Sequence, residues 1–167
     1  MTGQPRAHRP TKEVMMQTTK QGDEVHADIW QEQARLAQRL LRWGALNVGA
    51  GIALTLQPAG WWRGFGAQAA GWGAVNAGIG LFGLRGARTK ADQPQNHTSS
   101  AQREARRSLR KILLINSALD VGYIAGGLAL VRTKGRESAV RRGSGWSVVV
   151  QGSFLLLFDL IHALMLT

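Results

Sequence analysis

Asp159 and His162 stand three residues apart in the run FLLLFDLIHALML, and Asn116, Asp120 and Tyr123 follow at spacings of four and three in LLINSALDVGY. On a helix such spacings place side chains on one face. Each set therefore offers a polar face inside an apolar stretch. A carboxyl beside an imidazole can pass protons or bind a cation. An imidazole with two carboxylates can also hold a metal. Two active readings follow. One is a proton- or cation-coupled transporter or channel subunit using Asp120 and Asp159. The other is an intramembrane enzyme using Asp159 and His162. The plainer reading is structural: the two carboxyls lock helices together by bonding to amides such as Asn47 and Asn76. Interhelical hydrogen bonds of this kind average about 0.6 kcal/mol. This third reading is adopted, with no catalytic residue, no metal and no cofactor assigned.

The elements that must carry these residues are long and apolar. The chain has 167 residues and a net charge of +11, from 21 Lys+Arg against 10 Asp+Glu. In a soluble protein that excess would suggest nucleic acid. Here the basic residues lie between apolar stretches, as in a membrane protein with basic loops. Four stretches are candidates to span a bilayer, at about 40–57, 65–84, 112–131 and 146–166. Each is close to the ~20 residues that cross a ~30 Å hydrocarbon core. A soluble helix would need a polar stripe facing water, and these stretches have none. The expected fold is all-α: an integral membrane four-helix bundle of two helical hairpins. Residues 23–42 are expected to form an amphipathic helix on the membrane surface leading into the first span. Residues 1–22, with Pro5 and Pro10, read as a disordered cytoplasmic tail rather than a signal peptide.

Orientation follows from the basic residues. Seven lie in the N-terminal segment through Arg42, one in 57–64, eight in 85–111, five in 132–145 and none after the last span. The excess falls on the side that holds both termini, which are therefore expected in the cytoplasm, with the chain multi-pass in the cell (inner) membrane. Trp61 and Trp62 suit an interfacial aromatic belt, and Trp43 and Trp146 mark other span ends. The cluster Arg103, Arg106, Arg107, Arg110 and Lys111 suits anionic lipid headgroups. It lacks interleaved aromatics, so nucleic acid is not an expected partner. The lipid bilayer is. The chain contains no Cys, which removes disulfides, thiolate metal sites and thiol nucleophiles. Walker, GxSxG and HExxH motifs are absent as well.

Internal similarity links the spans. WGALNVGAG (43–51) and WGAVNAGIG (72–80) are nearly the same nine residues, and ALNVG at 45–49 returns as ALDVG at 118–122. Gln68 and Asn76 fall on Gln151 and Asp159 at a weaker, separate offset. The pattern reads as a duplicated hairpin, a common origin for membrane folds. One consequence is a polar residue near the middle of every span: Asn47, Asn76, Asp120 and Asp159. With Asn116, Tyr123, Gln151 and His162 they are expected to build one polar layer at mid-membrane. Ala45, Gly49 and Ala53, and likewise Ala118, Gly122 and Gly126, form small-residue ridges of the kind that pack helices closely. Ala70, Ala74 and Gly78 form a third. Helix geometry sets Asn47, Asn76 and Asp120 roughly opposite these ridges. The ridges thus offer a surface to neighbouring helices or to a second copy in a homodimer. The fourth span is bulky and lacks such a ridge, so it is expected to be the most lipid-exposed.

Three segments together resemble a known family: WRGFGAQAAGWGAVNAGIGLFG (62–83), RKILLINSALDVGYIAGGLAL (110–130) and GWSVVVQGSFLLLFDLIHAL (145–164). The family is one of small bacterial four-span membrane proteins of unknown function, and the resemblance covers about residues 35–165. It implies four helices, a bacterial membrane location, and Asn116, Asp120, Tyr123, Gln151, Asp159 and His162 as pattern positions. It implies no activity.

Overall fold

A computed structural model describes residues 28–166. Among them every regular element is helical. Four long helices, α1 (Ile29–Thr55), α2 (Gly60–Ala91), α3 (Ser99–Arg132) and α4 (Ala139–Met165), are joined by short connections, one holding a 3-10 turn at Pro94–His97. The expected tail and the first residues of the expected amphipathic segment lie outside the described residues. From Ile29 onward, that segment and the first apolar stretch form one uninterrupted helix. Asp28 starts it, its Oδ1 accepting from Trp30 N at 3.1 Å. Thr98 and Ser138 cap α3 and α4 in the same way. Pro58 and Pro94 sit where the chain leaves one helix and enters the next element.

The α1–α2 pair is built on small residues seven apart. Ala37, Gly44 and Gly51 on α1 face Gly80, Gly73 and Gly66 on α2, an antiparallel register in which each pair of numbers adds to the same total. A Cβ on Gly44 would lie 2.6 Å from the Gly73 carbonyl oxygen and 2.9 Å from Ala77 Cα. Backbones this close exclude any side chain. The nine-residue repeat therefore has a use: its first and last glycines (Gly44 and Gly51, Gly73 and Gly80) are the seam residues of both helices.

The α3–α4 pair follows the same rule. Leu113, Asp120 and Gly127 are buried on α3, and Gly145, Gly152 and Asp159 on α4, each set spaced by seven. A Cβ on Gly127 would meet the Gly145 carbonyl at 2.8 Å, and one on Gly152 would meet the Asp120 carbonyl at 3.4 Å. The same register places Leu113 opposite Asp159.

The two pairs touch backbone to backbone only near the 57–59 and 133–138 connections. There a Cβ on Gly64 would lie 2.9 Å from Val140 Cα, and one on Gly143 would lie 2.9 Å from Phe65 N. Ser144 Oγ donates to Gly64 O at 3.1 Å. Toward the other end the pairs separate and only long side chains bridge them. Glu32 pairs with Arg106 at 3.2 Å. Ile29 N donates to Gln102 Oε1 at 3.0 Å, Gln102 Nε2 donates to Asp28 Oδ1 at 2.8 Å, and Trp30 Nε1 donates to Asn96 O at 3.1 Å. A small apolar cluster of Ile29, Trp30, Leu113, Ala163 and Leu166 closes this end. The first turns of α1 are thus packed against α3, where a free surface helix was expected.

Two further expectations are corrected. The ridges on α1 and α3 do not form the seams, and of the third only Ala70 reaches one, its N 2.5 Å from a Cβ placed on Gly51. Ala45, Gly49 and Ala53 are exposed, as are Ala118, Gly122 and Gly126. A Cβ added at Gly49, Gly78, Gly122 or Gly126 would meet nothing within 4 Å. Glycines one to five places away took the seams because they share a face with seven-residue periodicity. The fourth helix, expected to be the most exposed, packs against both α2 and α3. Its small residues Gly143, Gly145 and Gly152 lie in its first half and make those contacts.

Two of the helices, α3 and α4, are long and apolar enough to cross a membrane. α1 and α2 fall short of that hydropathy because glycines and polar residues, Arg42 and Asn47 in one and Gln68 and Asn76 in the other, interrupt their apolar stretches. Across all four, the large apolar side chains point outward: Leu46 is 68 % exposed, Phe82 71 %, Leu119 55 % and Leu157 61 %. Apart from the apolar cluster around Ile29 and Trp30, the buried set is small or polar, with Asn76, Ser117, Asp120, Ser147, Gln151 and Asp159 all inside.

Candidate functional site

Three groups of polar side chains occur where one layer was expected. The first ties α1 to α4. Asn47 Nδ2 donates to Trp43 O at 2.8 Å, Trp43 Nε1 donates to Gln151 Oε1 at 3.2 Å, and Gln151 Nε2 donates to Asn47 Oδ1. The ring closes on itself, and the Trp43 indole stacks on Phe154 at 3.7 Å between centroids. Trp43, expected to mark a span end, is a half-buried donor to α4. Its apolar body hid that role in the sequence, since an indole N–H gives no pattern of its own.

The second group belongs to the α3–α4 seam. Asp120 and Asp159 sit seven positions apart in register, or about 10 Å along the axis. Side chains on helices lean toward their own N-termini. Because α3 and α4 run oppositely, the two carboxyls lean toward each other. Asp159 interacts with both Asp120 and the Asn116 amide. Asp120 Oδ2 is buried with no hydrogen-bond partner. No salt bridge reaches either carboxyl among the described residues.

The third group lies at the end where the helix pairs separate. His162 Nδ1 lies 2.6 Å from Phe158 O and Nε2 lies 3.0 Å from an Arg39 nitrogen. A guanidinium only donates, so Nε2 accepts and Nδ1 carries the proton; both contacts fit a neutral ring. His162 shares a helix with Asp159 but turns toward α1, while Asp159 turns toward α3.

Of the remaining expected residues only Asn116 joins one of these groups. Tyr123 is 43 % exposed and its ring meets Trp72 edge-on at 4.9 Å. Asn116 is exposed on its own helix yet reaches Asp159. Asn76 is buried one turn beyond the Gly73–Gly44 contact, its Nδ2 without a partner. Ser147, fully buried with an unpartnered Oγ, gave no sequence signal at all. Among the described residues no three His, Asp or Glu side chains gather as a metal site.

Where the helix pairs separate they leave a cleft of about 590 Å³. Leu36, Leu40, Ile79, Leu109 and Ile112 wall it, and Asn116, Phe158 and Asp159 also line it. Lys90 and Glu104 line its outer end, where the Lys90 ammonium lies 5.1 Å above the Trp30 ring. The volume is within the ~300–1,000 Å³ common for small-molecule sites.

Comparison with curated proteins and with solved structures gives no match. A family model does match, over residues 39–160, which takes in most of α1, all of α2 and α3, and most of α4. The matched stretch holds every seam glycine and all three polar groups except His162, and on that extent the chain belongs to DUF6992, a family of unknown function.

Proposed function

We propose that the chain is an integral membrane protein of a bacterial inner membrane, with all four helices crossing the bilayer as a bundle and both termini cytoplasmic. In this reading it is a non-catalytic structural or interaction protein. The observation that carries the membrane assignment is the inverted distribution of side chains. Large aliphatics and Phe82 cover the outside of all four helices, while the inside holds mostly Gly, Ala, Ser, Asn, Gln and Asp, with large apolar residues buried only in the cluster of Ile29, Trp30, Leu113 and Leu166 at one end. Water would penalise such a surface, whereas lipid is a good solvent for it. Trp62 and Trp146, both exposed, lie toward the same end, as an interfacial belt requires. The outward ridges on α1 and α3 leave a face on which a second copy can pack. Support for a non-catalytic role comes from His162, whose two ring nitrogens are taken by Arg39 and Phe158 rather than Asp159. The carboxyl beside the cleft favours ligand or ion binding as the second reading.

The natural absence of Cys makes the topology test direct. Single variants Gln57→Cys, Gln95→Cys and Lys134→Cys are exposed to a membrane-impermeant maleimide in intact cells. Labelling at 57 and 134, with 95 protected until the membrane is opened, is the expected result. Labelling at 134 but not at 57 would reduce the spans to α3 and α4, and labelling at 95 in intact cells would reverse the orientation.

A further inference from the structure

The cleft has a chemical polarity that identifies its ligand. Its walls are aliphatic, from Leu36, Leu40, Leu109 and Ile112. Its deep end carries an acid. Asp159 is 7 % exposed and lines the cleft together with Phe158 and with Asn116, whose amide reaches it. Asp120 adds a second carboxyl just below, also 4 % exposed and with an unpartnered oxygen. No salt bridge supplies either acid with a positive charge among the described residues. The nearest basic residue lining the space is Lys90 at the outer end, which is held over Trp30. A buried acid among apolar walls, with an aromatic face beside it and no cation, is complementary to a positive charge carried on an apolar body.

We propose that this cleft binds a hydrophobic organic cation, with its charged centre held by Asp159 and the Phe158 ring and its apolar part lying between α1 and α3. A phospholipid acyl chain would need no acid at the deep end. An anionic amphiphile would place its charge against Asp159. The proposal rests on the second of the two readings above, ligand or ion binding, and it is tested on purified protein, so its outcome does not depend on membrane topology.

The experiment is equilibrium binding of tetraphenylphosphonium to the full chain in detergent, with tetraphenylborate as a ligand of the same shape and opposite charge. Saturable binding of one phosphonium per chain is expected, with no competition from the borate. Asp159→Asn should weaken it about thirtyfold or more, and Asp159→Glu should retain most of it. Ser108→Trp, which fills the cleft far from the acid, should also abolish binding while leaving the helical circular dichroism intact. Three results would overturn the proposal: no saturable binding to folded wild type, equal binding of borate, or unchanged binding in Asp159→Asn. If Asp159→Asn does not fold, Ser108→Trp decides, and unchanged phosphonium binding in that variant rejects the cleft.

Discussion

At Gln151 one amide satisfies both Trp43 and Asn47, so removing it leaves a half-buried indole donor and a half-buried amide oxygen without partners. Stranding buried polar atoms costs about 1–3 kcal/mol, more than the hydrogen bonds alone contribute. Gln151→Ala should therefore destabilise the protein by about 1–3 kcal/mol in reversible unfolding from bicelles. Arg39→Gln, at an exposed bond to His162, should change it by under ~1 kcal/mol. The polar positions Asn47, Gln151, Asp120 and Asp159 were legible in the sequence because a polar residue inside an apolar stretch must find partners. Which partner each found was not. Asn47 and Asn76 hold corresponding places in the nine-residue repeat, yet Asn47 bonds to α4 and Asn76 Nδ2 stays unpartnered. The difference comes from where the second helix pair lies, which is not encoded in either copy.

The helix seams separate glycines that look alike in the sequence. Gly44 and Gly49 share the same WGALNVGAG stretch, but Gly44 lies against the Gly73 carbonyl and Gly49 faces open space. Gly44→Leu should prevent close approach of α1 and α2 and cost several kcal/mol or abolish the fold, since overpacking by a whole side chain exceeds the ~1–3 kcal/mol of added methylenes. Gly49→Leu should cost under ~1 kcal/mol or stabilise α1 by removing a helix glycine. Thermal unfolding of the two variants in one detergent checks both. A reversed ranking would place the outward ridge, not the seven-residue seam, at the packed interface. Four-residue spacing drew attention to the ridges because small-xxx-small is the common dimer pattern. Seven-residue spacing won within the chain because antiparallel helices at a shallow crossing meet along that period.

For the molecule as a whole, the inverted surface makes size a poor guide to energetic weight. In lipid an outward side chain is solvated in the folded and the separated helices alike, so truncating it removes little. Phe82→Ala and Leu119→Ala, at positions 71 % and 55 % exposed, should each cost under ~1 kcal/mol in bicelles. Ser147→Leu, at a position with no exposure, should be among the most damaging single changes. Steric-trap or denaturant unfolding measures all three. In a soluble core the ranking would be the opposite, with Phe→Ala at about 3–5 kcal/mol.

The sequence by itself determined four helices and roughly where each runs, because apolar stretches of this length bounded by Pro and polar connections have few other solutions. It also determined that polar residues sit inside them. Only the tertiary structure decided which of the many glycines pack, that the polar residues split into three groups, and that the helix pairs meet at one end and part at the other to leave a cleft beside Asp159. Those outcomes depend on rotation of each helix about its axis and on the register between pairs. Glycine and alanine supply shape but little directional signal, so neither quantity can be read from composition or spacing alone.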